Sequence, residues 1–174
     1  MHFLYNVLFL LAGFKWGDWK RWRYYYPTIL FLICVDLLKN FLLYDYRMWT
    51  YQETFFGENI LQNHTFINLV IMAIVYPSTV LIYLGRFPQE RRKQIFWFSL
   101  WILIYWIVEY INLTYLDLIN HHNDWNMWWS FLFLIVMFLM LKIHHKNPLL
   151  AWGLSVIFIL ILWIVFDIPV ETLK

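Results

Sequence analysis

Apolar residues run along this chain in six stretches, roughly 3–16, 27–44, 65–84, 94–116, 127–141 and 149–168, with short polar connections between them. A helix rises about 1.5 Å per residue, so the eighteen residues 27–44 reach about 27 Å, close to the hydrocarbon thickness of a bilayer. The first stretch is shorter, about 18 Å over residues 3–14. It is expected to be a tilted or partly shielded helix, with a re-entrant segment as the other option. The pattern predicts an all-α fold, a polytopic transmembrane helix bundle of about six helices, or five if residues 3–16 do not span fully. Residues 1–174 are expected to form a single integral membrane domain, since no long Gly/Ser/Pro-rich linker divides them.

Polar residues interrupt this pattern at informative places. Asp36 and Lys39 sit in the middle of the second stretch. Each costs roughly 2.5–3.5 kcal/mol at mid-bilayer, so partners or water must compensate. The helical repeat puts Asp36, Lys39 and Asn40 on one face, with Cys34 opposite. In the fourth stretch Glu109 and Asn112 share a face with Tyr105, and in the third His64 and Asn68 share one with Met72 and Val75. Helical rise places Lys39 and Glu109 at matching depth, about 4.5 Å beyond the centre. They are therefore expected to pair, with Asp36 as a second partner of Lys39. Asn40, Asn68, Asn112 and Asn6 fall further out, whereas the opposite half offers only hydroxyls such as Ser78, Ser99 and Ser155. The expected result is a polar pocket opening outward. In one reading these charges form a structural ion network. In the other, Asp36, Lys39, Asn40, Asn68, Glu109 and Asn112 bind a ligand or ion. Two acids against one base leave a spare negative charge, which suits a cation, an amine or a shared proton.

Composition agrees with the pattern. Of 174 residues 63% are apolar and 14% charged, far from the balance of a soluble domain, so the lipid bilayer is the first partner. Ten of the thirteen basic residues fall on one side of a six-span threading: Lys15, Lys20, Arg21, Arg23, Arg86, Arg91, Arg92, Lys93, Lys142 and Lys146. Such loops stay in the cytoplasm, which predicts a plasma-membrane protein with both N- and C-terminus extracytoplasmic. The other side carries Asp45, Glu53, Glu58, Asp117, Asp124 and Glu171. The basic loops read as membrane-facing, not as a nucleic-acid site. Trp16, Trp19, Trp22, Trp97 and Trp152 form one expected interfacial belt, and Trp49, Trp125, Trp128, Trp129 and Trp163 the other. Cys34, the only cysteine, reads as a small core residue. No base precedes residues 3–14 and no small-x-small site follows, so that stretch is read as mature structure.

Pro77 removes a backbone donor inside the third helix and predicts a kink. His121-His122-Asn123-Asp124, preceded by Asp117, reads as a polar outer loop, because adjacent His on a helix diverge and metal-ligand spacing is absent. His144-His145 reads as an interfacial basic turn. Asn63-His64-Thr65 matches the glycosylation pattern but is expected to cap the third helix, and Asn112-Leu113-Thr114 falls within the membrane. No nucleotide, metalloprotease or nucleophile motif occurs, and no cofactor or metal is expected. The functional expectation is a membrane protein that binds or transports a small cation, amine or proton through the pocket. A membrane enzyme acting on a lipid or isoprenoid and a non-catalytic partner subunit are the alternatives. With 174 residues and no clear inverted repeat, transport would call for a homo-oligomer.

Several strings carry a resemblance: Lys15-Trp16-Gly17-Asp18-Trp19, Tyr25-Tyr26-Pro27-Thr28 with Asp36 and Asn40, Trp125-Asn126-Met127-Trp128-Trp129-Ser130, Pro148-Leu149-Leu150-Ala151-Trp152 and Phe166-Asp167-Ile168-Pro169. Over most of its length the chain resembles a family of small multi-pass membrane proteins of spore-forming Gram-positive bacteria, to which no activity is assigned. Asp124 stands where that family carries Gly. The resemblance implies a bacterial plasma-membrane protein and says nothing about substrate.

Overall fold

A computed structural model describes residues 2–52 and 64–172. Its order is α1 (His2–Trp16), α2 (Trp22–Leu42), β1 (Trp49–Tyr51), α3 (His64–Tyr83), α4 (Arg91–Thr114), β2 (Ile119–His121), α5 (Met127–Lys146) and α6 (Pro148–Val165). Single 3-10 turns precede α2 (Trp19–Arg21) and follow α6 (Val170–Thr172). Glu53, Glu58, Asn63 and Lys174 lie outside the described residues.

The fold is an all-α bundle, and α2 to α6 are each long and apolar enough to cross a membrane, while α1 is shorter. Local chemistry sets the ends. α2 starts ahead of Pro27, which is tolerated because it falls early in the helix, where only the Arg23 carbonyl loses its partner. Asn126 caps α5 by accepting from the backbone N–H of Trp128 and Trp129. Asn147 closes α5 and caps α6 through the N–H of Leu150, with Pro148 in the first turn where its missing donor does no harm. Asn123 and Asp124 have φ of 52° and 61°, the left-handed region. Glycine takes that conformation without strain, and the short polar side chains of Asn and Asp tolerate it. α3 continues through Pro77 as one helix.

β1 and β2 were not anticipated. They pair antiparallel, Trp49 opposite His121, Thr50 opposite Asn120 and Tyr51 opposite Ile119. The stretch expected to be a polar loop is thus partly a strand, and it joins the α2–α3 connection to the α4–α5 connection. His122 holds the same junction, its Nε2 lying 2.8 Å from Thr50 Oγ1.

An apolar cluster runs through α2 to α6, with Tyr25, Phe31, Leu81, Tyr83, Trp101, Phe138, Leu141 and Ala151 among its buried members. A second gathers Met48, Trp125, Leu162, Phe166 and Ile168 at the strand end. The opposite helix faces expose Leu11, Phe14, Ile95, Phe96, Ile107, Leu139, Ile161 and Ile164, an apolar girdle suited to lipid rather than water. Cys34 belongs to this outer surface and is exposed, contrary to its reading as a core residue. α1 lies against α3. A side chain at Gly13 would run into Ser78, so glycine lets the two backbones close up. The junction is tied further by Trp19 Nε1 to the Gly13 carbonyl (2.7 Å) and Arg86 Nε to the Trp16 carbonyl (2.7 Å).

Candidate functional site

Helical spacing brings one face of every helix to a common cavity of about 240 Å³. α2 supplies Leu32, Val35, Asp36 and Lys39; α4 supplies Tyr105, Val108, Glu109 and Asn112; α5 supplies Ser130, Phe133, Leu134, Met137 and Met140. α6 adds Ser155, Phe158, Ile159 and Leu162, and α1 adds Tyr5, Asn6 and Phe9. Trp49 and Tyr51 of β1, Ile119 of β2, and Trp125 line the end nearest the strands. The charged side chains collect beneath these strands. Towards the basic connections the walls become Phe31, Leu32, Leu134, Met137 and Met140, relieved only by Ser155. The cavity is therefore amphipathic along its length. Trp49, Tyr51 and Ile119 of the two strands form part of the wall at its polar end.

The two intramembrane acids are held differently. Asp36 is buried and accepts from three groups. Lys39 Nζ lies 2.8 Å from its Oδ1. Asn68 Nδ2 and the Tyr76 hydroxyl donate to its Oδ2 at 3.2 and 2.9 Å. The ammonium of Lys39 also sits 3.9 Å from the centroid of the Trp49 ring, a cation–π contact. Both oxygens of Asp36 and the charge of Lys39 are thereby satisfied within the fold.

Glu109 receives its partners on one oxygen. His121 Nε2 lies 2.9 Å from Oε1, and the Ser130 hydroxyl donates to the same atom. Ser130 is positioned in turn by Trp125, whose indole N–H reaches its oxygen at 2.8 Å. No described residue donates to Oε2. One turn further along α4, Asn112 is 6% exposed and its Oδ1 has no hydrogen-bond partner among the described residues. Tyr51 faces this region. Its phenol is pushed up by burial first and then by the negative charges of Asp36 and Glu109, so it stays protonated and neutral.

The expected Lys39–Glu109 pair does not form. Lys39 turns to Asp36, three residues back on its own helix, and Glu109 takes His121 instead. Of the anticipated site residues, Asp36, Lys39, Glu109 and Asn112 line the cavity. Asn68 stands behind Asp36 as a donor. Asn40 faces a separate shallow cleft with Leu43, Arg47 and Met48. Residues that had drawn no functional reading now join the site: Ser130, Tyr76 and Tyr51, and also His121, which had been placed in a loop. Trp49 and Trp125 had been assigned to an interfacial belt, but both turn inward to the cavity.

One further expectation, that for His144, needs correction. His144 is a buried member of α5 rather than part of a turn; its Nδ1 lies 3.1 Å from Thr28 Oγ1 and its ring stacks on Phe31. His64 is engaged by β1, accepting the backbone N–H of Tyr51 at 3.0 Å. Trp106 donates its indole N–H to the Met127 carbonyl at 2.9 Å.

These features are those of a multi-pass membrane protein with an internal amphipathic cavity. Comparison with family models, curated proteins and solved structures finds no match for this chain.

Proposed function

We propose that this is a bacterial plasma-membrane protein that binds a small amphiphile in its cavity, the polar head beneath the strands and the apolar part between α2, α5 and α6. One observation carries the reading: charged and hydrogen-bonding groups occupy only one end of a cavity whose remaining wall is apolar. A site for a bare ion would have no use for the Phe31–Met137–Met140 floor.

Gentle extraction and mass spectrometry of the intact protein test this. A small amphiphile is expected at close to one per chain. Recovery of the folded protein with an empty cavity from several detergents and lipids would count against the reading.

A second reading is an enzyme acting on a lipid or isoprenoid. The Glu109–His121 contact favours it, because a carboxylate facing a cavity with an imidazole behind it can move a proton in either direction. A paired substrate and product in the same extract would select it.

The threading belongs to the proposal too, with the basic connections cytoplasmic and both termini outside. Single cysteines at Arg91 and Asp124, in a background lacking Cys34, should differ in labelling by an impermeant thiol reagent. Equal labelling from outside would overturn this orientation.

A further inference from the structure

We infer that Glu109 and Asn112 form the head-group site of the cavity and that it takes a primary ammonium carried on an apolar chain. The inference rests on the reading of the cavity as an amphiphile site and specifies its ligand.

The argument starts from unfilled valence. A buried acceptor without a donor costs about 1–3 kcal/mol, so native interiors keep few of them. Here the Oδ1 of Asn112 is such an atom, in a residue that forms part of the cavity wall. One helical turn away, Glu109 has both its hydrogen bonds on Oε1 and leaves Oε2 without a donor among the described residues. The spacing of three residues puts both acceptors on one face of α4. Two acceptors on one helix face, one of them a carboxylate oxygen, call for a cationic group with several N–H donors.

The neighbouring charges sharpen the choice. Lys39, the cation closest in the lining, is already engaged by Asp36 and the Trp49 ring, so an anionic head would find no free counter-charge. A metal ion would meet too few ligands, since no three His, Cys, Asp or Glu side chains come together among the described residues. Tyr5, Tyr51 and Tyr105 supply aromatic walls, which suit a cation as well as an apolar chain. At the ~30 Å³ that a water fills in the liquid, the cavity holds about eight heavy atoms. An ammonium on a chain of about eight carbons matches that size.

The test uses the full chain in detergent with four probes: octylamine, octanol, octanoate and ethylamine, at neutral pH. Binding is read by mass spectrometry of the intact protein and by the shift in its unfolding midpoint. Octylamine should bind roughly tenfold or more tighter than octanol or octanoate, as charge-assisted hydrogen bonds require. Glu109→Gln should remove that preference, bringing octylamine binding down to the level of octanol. Asn112→Leu should weaken octylamine several-fold while raising the midpoint of the empty protein, because it removes an unpaired acceptor. A merely structural Asn112 would move the midpoint down and leave the head-group preference intact. Equal binding of the three octyl compounds, or tighter binding of octanoate, would overturn the ammonium assignment and leave the amphiphile reading standing. Ethylamine binding as tightly as octylamine, or no binding by any octyl compound, would overturn the amphiphile reading itself. Should Glu109→Gln fail to fold, the wild-type ranking of the four probes still decides.

Discussion

Asp36 and Glu109 are two acids in one cavity, and the fold treats them in opposite ways. Asp36 meets a lysine, an amide and a phenol and has nothing left to offer. Glu109 is fastened by one oxygen to Ser130 and His121, and no described residue donates to the other. The first pattern is that of a charge kept to hold helices together, and the second that of a charge kept for a visitor. Burial alone does not separate a structural acid from a functional one; the count of donors on each oxygen does.

The largest effect should come from Asp36. Replacing it with Ala strands the Lys39 ammonium and two donors in the interior. Removing one partner of a buried pair costs about 3–5 kcal/mol. Unfolding in detergent would measure it, and a second change, Lys39→Met, should recover a large part. If Asp36→Ala proved milder than Glu109→Ala, the contrast between the two acids would collapse.

The next effect is smaller and concerns partner choice. A double-mutant cycle between Glu109→Gln and His121→Leu should give a coupling of about 1–2 kcal/mol, as expected for a charge-assisted hydrogen bond. The same cycle between Glu109 and Lys39 should stay within about 0.5 kcal/mol of additive. Strong coupling in the second cycle would restore the pairing that depth alone had suggested.

That pairing shows what could be read beforehand and what could not. The helical repeat placed Asp36 with Lys39, and Tyr105 with Glu109 and Asn112, and the structure keeps those faces. Depth along an axis is legible because rise per residue is constant. The direction in which a long side chain turns is not, so of the two partners expected for Lys39 it meets Asp36 and not Glu109. Cys34 was correctly set opposite the polar face; its exposure follows because the polar face is the one that turns inward. The strands were invisible for another reason. Three residues each is too short for alternation to register, and their pairing joins positions some seventy residues apart. Without that pairing nothing in the sequence brings His121 to Glu109.

Asp18 extends the comparison to the basic end and should show the smallest effect. Slight burial raises its carboxyl, but hydrogen bonds from Arg21 and Tyr25 outweigh this and hold it below the usual range. A depressed carboxyl contributes stability that is fully present above the unfolded value, about 3.9, and is lost as pH falls through the folded one. The stability difference between wild type and Asp18→Asn should therefore be small at neutral pH and vanish in acid. A difference that grew on acidification would contradict the assignment.

The contact of Gly13 with Ser78 bears on how the protein is made. α1 has fifteen residues, about 22 Å of helix, less than the bilayer core. On its own it is a weak candidate for the insertion machinery. Its docking surface lies on α3, which leaves the ribosome only after all of α2 and the β1 connection. The contact that Gly13 permits can form only once α3 has been made, so at this point the fold closes against chain order.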